Sequence, residues 1–307
     1  MATEGSLKAI VAAMLANAGI AVAKFIAYIF TGSASMLAES IHSVADTTNQ
    51  GLLILGSRRA KRVADDEHQF GYGRERYFWA FVVAMVLFSL GGVFSIFEGL
   101  EKIRHPHELE SLSWAIGVLL VGIVLEALSF RIAVVEANKI RGSTSWWQFI
   151  RTARSPELPV VLLEDAGAQV GLVLALIGVG MSAITGDPVW DAIGTLAIGV
   201  LLVIIAIILT IEMQSLLIGE AAREEHVRLI LQIVKEHPAV NRVIDIRTQH
   251  IGPEELLVAG KVEFKQSMTM LGLSDAINEV ETSVREAIPL AMRIYLEPDL
   301  YEPDYDQ

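Results

Sequence analysis

A chain of 307 residues that is 53% hydrophobic, with a mean hydropathy of +0.48, is too apolar for an ordinary soluble domain. Its net charge of −12 argues against nucleic acid as a partner, and the absence of cysteine excludes disulfides and thiolate metal sites. Metal chemistry in this chain must run on His, Asp and Glu.

Met1 to Ser6 reads as a short polar lead into an apolar helix, without the pattern of a cleavable signal or a transit peptide. Six segments then meet the length of roughly 20 apolar residues that crosses a bilayer: 6–30, 34–57, 77–100, 112–136, 158–184 and 189–212. Thr31-Gly32-Ser33, His105-Pro106-His107 and Gly186-Asp187-Pro188 supply turns between them. Basic residues crowd the loops after the second segment (Arg58, Arg59, Lys61, Arg62, Arg74, Arg76) and the fourth (Lys139, Arg141, Arg151, Arg154). The opposite loops offer Lys102 and Arg104. This bias predicts an even number of spans with both termini cytoplasmic. Trp146, Trp147 and Phe149 among the basic residues of 137–157 read as interfacial anchors.

Residues 219–307 carry 17 Asp and Glu against 9 Lys and Arg, and read as an acidic soluble domain. A helix over 219–237 ends near Pro238. Val240 to His250 and Leu256 to Phe264 read as strands, Ser274 to Ile288 as a helix, and Arg293 to Leu296 as a short strand. The order α-β-β-α-β predicts a small open sheet with two helices on one face. Pro298 to Gln307 reads as a disordered acidic tail. The expected fold is thus an α-helical membrane protein: six transmembrane helices over 1–217, a cytoplasmic α+β, ferredoxin-like domain over 218–297, and the tail.

Two places interrupt the apolar spans with chemistry. His42 and Asp46 lie four residues apart in the second segment, on one helix face and about 6 Å apart along the axis. Ionisable groups in mid-membrane are costly and usually mark a substrate or ion path. The fifth segment carries Glu164, Asp165 and Gln169; Asp165 and Gln169 share a face, and Glu164 sits about 100° round the helix from Asp165. Two such helices suggest one shared site, and imidazole plus carboxylates without sulfur suits Zn²⁺ and also Mn²⁺, Fe²⁺ or Co²⁺. Glu126 reads as a deep residue that lines the ion path or pairs with Lys24, Glu98 as an interfacial one, and Gly91-Gly92 as close helix packing or a flexing point.

The stretch Thr31-Gly-Ser-Ala-Ser-Met-Leu-Ala-Glu-Ser-Ile-His42-Ser-Val-Ala-Asp46, with Asp65-Asp-Glu-His68-Gln-Phe-Gly-Tyr72-Gly-Arg74 after it, resembles the cation diffusion facilitator family. Leu162-Leu-Glu-Asp165 resembles one of its zinc-transporter branches. The likeness covers nearly the whole chain. It implies a transport site of two ligands from the second helix and two from the fifth, each pair four residues apart. His42, Asp46 and Asp165 match; the remaining position falls on Val161, which cannot bind a metal. Glu164 is the natural substitute, with Gln169 or a water as a further candidate. The family's loop site of one Asp and two His is matched by Asp65 and His68, whereas the third position is Tyr72. His226, His237 and His250 form no family-like cluster, so the tail domain is expected to serve homodimerisation.

The implied activity is export from the cytoplasm of Zn²⁺, or of Mn²⁺, Fe²⁺ or Co²⁺, by proton antiport, with the metal as substrate, H⁺ as counter-ion and no cofactor. With no organelle signal read in the sequence, the expected location is a bacterial inner membrane. A competing reading is a transport-inactive family member that serves as metal sensor or heterodimer partner. An intramembrane metalloenzyme is disfavoured, since the chain contains no His-Glu-x-x-His.

Overall fold

The structure, a computed structural model, describes residues 4–106 and 112–302. They divide into two compact units, one comprising the residues up to Arg59 with Glu75–Gln214, the other Ala60–Arg74 with the residues from Ser215 on.

The first unit is helical: α1 (Glu4–Thr31), α2 (Ala34–Arg59), α3 (Glu75–Val86), a π-helical stretch (Leu87–Val93), α4 (Phe94–Arg104), α5 (Leu112–Arg141), α6 (Trp146–Thr152), α7 (Glu157–Thr185) and α8 (Val189–Ile218). α3, the π stretch and α4 run on as a single helix. Among the described residues, four helices are long and apolar enough to cross a membrane: Glu75–Arg104, Leu112–Arg141, Glu157–Thr185 and Val189–Ile218. The other two segments expected from sequence are the helices α1, 28 residues long, and α2, 26 residues long, which do not join these four by that measure. In α1 the apolar run counted is Asn17–Thr31, and α2, although 26 residues long, is too polar. The reason is its composition: Glu39, Ser40, His42, Ser43 and Asn49 are buried on α2, so this helix turns polar groups inward.

The π stretch contains Gly91 and Gly92, the pair expected to permit close packing, and it does so. A Cβ on Gly92 would stand 2.6 Å from Val203 Cγ2 and 3.1 Å from the Val203 amide on α8. Further along, α7 ends at Gly186 with φ of 72°, a left-handed cap that favours glycine. The loop after α5 is not a simple belt of anchors. Ser145 caps α6 by accepting from the Gln148 amide at 3.2 Å, Trp146 and Trp147 are exposed, but Phe149 is buried against Ala133, Ala137 and Leu162. His107 lies outside the described residues.

In the second unit, α9 (Glu224–Glu236), β1 (Val240–Gly252), β2 (Glu255–Phe264), α10 (Met270–Ala287) and β3 (Arg293–Pro298) follow the expected order. The sheet runs β1-β2-β3, antiparallel then parallel. Leu256, Val258, Val262 and Phe264 alternate along β2 onto one face, where Ile230 and Val234 of α9 and Val280 and Val284 of α10 complete the core. The start of the expected tail is fixed rather than disordered. The Asp299 amide donates to Val262 O at 3.0 Å, Lys261 donates to Asp299 at 3.0 Å, and Arg242 stacks on Tyr301 at 3.7 Å. Residues 303–307 lie outside the description.

Candidate metal centre

α2 is fixed at its first turn by a carboxylate from another helix. Asp191 of α8 accepts from Ser33 Oγ and the Ala34 amide, both at 2.8 Å, and from the Ser35 amide at 3.4 Å. A buried anion on the exposed amides of a helix start satisfies donors that the helix itself cannot. Lys102 adds a bond to Gly32 O at 2.9 Å. The helix that carries the candidate ligands is thereby held in place before any ligand is considered.

His42 and Asp46 stand where the sequence puts them, on one face of α2, with Nε2 and Oδ2 3.5 Å apart. His42 is buried at 1% exposure, and neither ring nitrogen has a hydrogen-bond partner. Asp46 Oδ1, Asn49 Oδ1 and Gln50 Oε1 on the same helix, and Gln169 Oε1 on α7, are likewise buried without one. A buried acceptor left unpaired costs about 1–3 kcal/mol, and a row of them is the arrangement that a desolvated cation satisfies.

On α7 the two adjacent carboxylates part company. Glu164, 4% exposed, accepts from Asn49 Nδ2 of α2 at 2.6 Å. Asp165, about 100° round the helix, accepts from Ser129 Oγ of α5 at 3.3 Å. Both remain within electrostatic reach of Asp46. Glu126 of α5, only 7% exposed, adds a further charge that Asp46 and Asp165 feel. Val161 packs instead against the apolar cluster of Ala133, Ala137, Phe149 and Leu162. Among the described residues, no three His, Asp and Glu side chains stand close enough together to hold a metal ion as they are placed. What the fold brings together is a His42–Asp46 pair on α2 and, joined to that helix through Asn49, Glu164 on α7.

Two contributors escaped the sequence reading. Asn49 is three residues after Asp46 on the same face, a spacing that could have flagged it. Lys24, read from sequence as one alternative partner for Glu126, donates to Glu39 at 3.1 Å and Ser43 at 2.8 Å on α2, with both charged groups fully buried.

In the second unit, the loop with Asp65, His68 and Tyr72 is closed on itself. Asp65 accepts from Tyr72 OH at 2.6 Å and from the His68 amide at 2.7 Å, while the His68 and Tyr72 rings stack at 4.4 Å and Arg62 covers Tyr72 at 4.3 Å. The Tyr72 bond, then the His68 amide, hold the Asp65 carboxyl below the usual aspartate range, and the same bond pushes the Tyr72 phenol up. The phenol thus takes the carboxylate oxygen that a metal would need. Gly73 lets this loop approach β1, since a Cβ there would stand 2.9 Å from Ile251 O and from Gly252 Cα. His237 pairs with Glu279 at 3.1 Å, and the buried His250 donates its amide to Glu220 O at 2.8 Å.

Residues 10–218 match a family described as the cation efflux transmembrane domain. A human protein named proton-coupled zinc antiporter SLC30A9, mitochondrial, is 32% identical over 271 residues, 88% of this chain and 47% of that one. Metal tolerance protein C4 of Arabidopsis thaliana is 27% identical over 269 residues, 87% of this chain and 59% of its own. The cation-efflux pump FieF of Klebsiella pneumoniae is 24% identical over 284 residues, 92% and 89% of the two chains. The chain spans about half the length of the zinc antiporter relatives it matches.

Proposed function

The chain belongs to the cation diffusion facilitator family, and from that membership we propose that it exports a divalent cation, Zn²⁺ first among the candidates, from the cytoplasm in exchange for protons. The observation that carries this reading is the buried His42–Asp46 pair with its unpartnered nitrogens and oxygen, set within charge range of Glu164 and Asp165. His42 and Asp46 bind the ion, Glu164 supplies the carboxylate from α7 that Val161 cannot, and Asp165 and Gln169 complete the shell as α7 turns. Metal binding needs an unprotonated imidazole and ionised carboxylates, so protons and metal compete for the same atoms. A site that loads metal on one face of the membrane and protons on the other couples the two flows. The names of the relatives, a proton-coupled zinc antiporter and a cation-efflux pump, support this direction and substrate.

In this reading α1 and α2 cross the bilayer with the four apolar helices. The polar face of α2 is buried by its neighbours, which lets a ligand-bearing helix span hydrocarbon despite its composition. Six spans then place both termini in the cytoplasm, as the basic loops require, and the cytoplasmic membrane is the proposed location. The α-β-β-α-β unit, ferredoxin-like in its layering, forms the homodimer contact, and the Asp65 loop is a tied-off version of a metal site.

A second reading has one observation in its favour: no three ligand side chains are gathered among the described residues. A transport-inactive partner or sensor would share that feature. Zinc binding by the purified chain, followed by zinc flux in liposomes, separates the two. An exporter binds through His42 and carries the ion across; an inactive partner produces no flux.

A further inference from the structure

The Lys24–Glu39 pair invites a structural explanation, an ion pair tying α1 to α2. That account covers one carboxylate oxygen only. Glu39 Oε2 receives Lys24, but Oε1 is buried with no hydrogen-bond partner, and Glu39 as a whole is 0% exposed. Oε1 packs against Gly171 of α7, where a Cβ would stand 2.7 Å away, so the glycine makes room for this carboxylate oxygen itself. Leaving one oxygen of a buried carboxylate bare is costly in a purely structural pair.

Position on the helix gives the second observation. Glu39, His42, Asp46, Asn49 and Gln50 fall within an arc of about 100° on α2 and rise over about 16 Å. Each of the five has at least one buried acceptor atom without a hydrogen-bond partner. The row continues past the His42–Asp46 site toward the N-terminal end of α2, and at that end a cation is already in place: the Lys24 ammonium, divided between Glu39 and Ser43.

We propose that Glu39 is a second cation station on the exit side of the His42–Asp46 site, with Lys24 as its tethered stand-in. This rests on the transport reading above. Between passages the ammonium neutralises Glu39. When a divalent cation leaves His42 and Asp46, it takes the unpartnered oxygen of the Glu39 carboxylate, while Lys24 stays on Ser43. The station prevents both an unpaired buried carboxylate and a bare divalent cation on the way out, either of which is expensive in a low-dielectric interior.

The test uses the full chain, purified and reconstituted, with equilibrium Zn²⁺ binding and Zn²⁺ flux measured side by side for Glu39→Gln, the double variant Lys24→Met/Glu39→Leu, and His42→Ala. A passage station predicts that Glu39→Gln keeps Zn²⁺ affinity within about threefold and slows flux by about tenfold or more. The double variant removes the pair with apolar groups, which folds are known to tolerate, so a thermal midpoint at or above that of the unaltered chain with slowed flux ties the defect to passage. His42→Ala should lose binding and flux together. Unaltered flux in Glu39→Gln or in the folded double variant, with His42→Ala inactive, overturns the station and leaves the transport reading standing. Loss of affinity in Glu39→Gln equal to that in His42→Ala also overturns it, because Glu39 would then belong to the main site. Unaltered flux in His42→Ala defeats the transport reading and the station with it. Should the double variant fail to fold, the Glu39→Gln rate decides.

Discussion

Asn49 donates to Glu164 across 2.6 Å, joining α2 to α7, whereas Val161, one turn earlier on α7, packs into an apolar cluster with Ala133 and Phe149. The α7 carboxylate turned toward α2, which carries His42 and Asp46, is therefore Glu164. Asp165, the residue matched by family spacing, faces Ser129 on α5.

Glu164→Gln should weaken Zn²⁺ binding more than Asp165→Asn does. Asn49→Ala, which removes the donor that orients Glu164, should lower affinity by about 10–100-fold. Isothermal titration of the purified chain measures all three. An Asp165→Asn defect larger than that of Glu164→Gln would reverse the assignment.

Restoring a family-like ligand at residue 161 should not help. Val161→His places an imidazole against the apolar cluster of Ala133, Ala137, Phe149 and Leu162, at a cost of about 2 kcal/mol for setting a polar ring there without a partner. Thermal unfolding in detergent should show the loss, and titration should show no gain in affinity. A tighter site in this variant would mean that α7 turns further than its packing suggests.

These two residues also mark the boundary of what the sequence makes legible. The four long apolar helices and the α-β-β-α-β order follow from hydropathy and periodicity, because burial against lipid or a sheet leaves a strong pattern. α2 is readable as a candidate site, and the polar row that marks it also lowers its hydropathy below that of the four apolar helices. Glu164 and Asp165 are adjacent, and which faces α2 depends on helix rotation, set by the packing of Gly167, Gly171 and Gly178 against other helices. The same holds for Lys24, whose choice of Glu39 over Glu126 is a tertiary fact. The π-helical stretch at Leu87–Val93 leaves no periodic mark that a sequence window resolves.

The Asp65–Tyr72 bond gives a pH signature outside the membrane spans. Asp65 titrates below its ordinary value, so its contribution to loop stability is present above the unfolded value of about 4 and lost as pH falls through the lower folded value. Tyr72 titrates above its ordinary value, so its share is complete below about 10 and lost as pH rises through the higher folded value. Tyr72→Phe should return Asp65 toward the ordinary range, read by NMR of the carboxyl carbon. An unmoved Asp65 would show that the His68 amide alone sets it. Tyr72→His, which frees the carboxylate and adds an imidazole, should raise Zn²⁺ stoichiometry in equilibrium dialysis.

Asp191→Ala should unseat the start of α2. It strips the partners from Ser33 and from the Ala34 and Ser35 amides, a loss of about 2 kcal/mol or more. Asp191→Asn, which keeps an acceptor oxygen, should recover part of it. Thermal unfolding in detergent distinguishes the two; equal midpoints for Asp191→Ala and the unaltered chain would remove the clamp from the account.

The most direct test of the central claim is Zn²⁺ entry into liposomes that contain the purified chain and have an acidic lumen, followed with an enclosed zinc-sensitive dye. The His42–Asp46 site predicts entry that collapses when the pH gradient is dissipated, falls to the empty-liposome rate in His42→Ala, and slows by about tenfold or more in Glu164→Gln. Entry that is indifferent to the pH gradient, or that proceeds at full rate in His42→Ala, would contradict it.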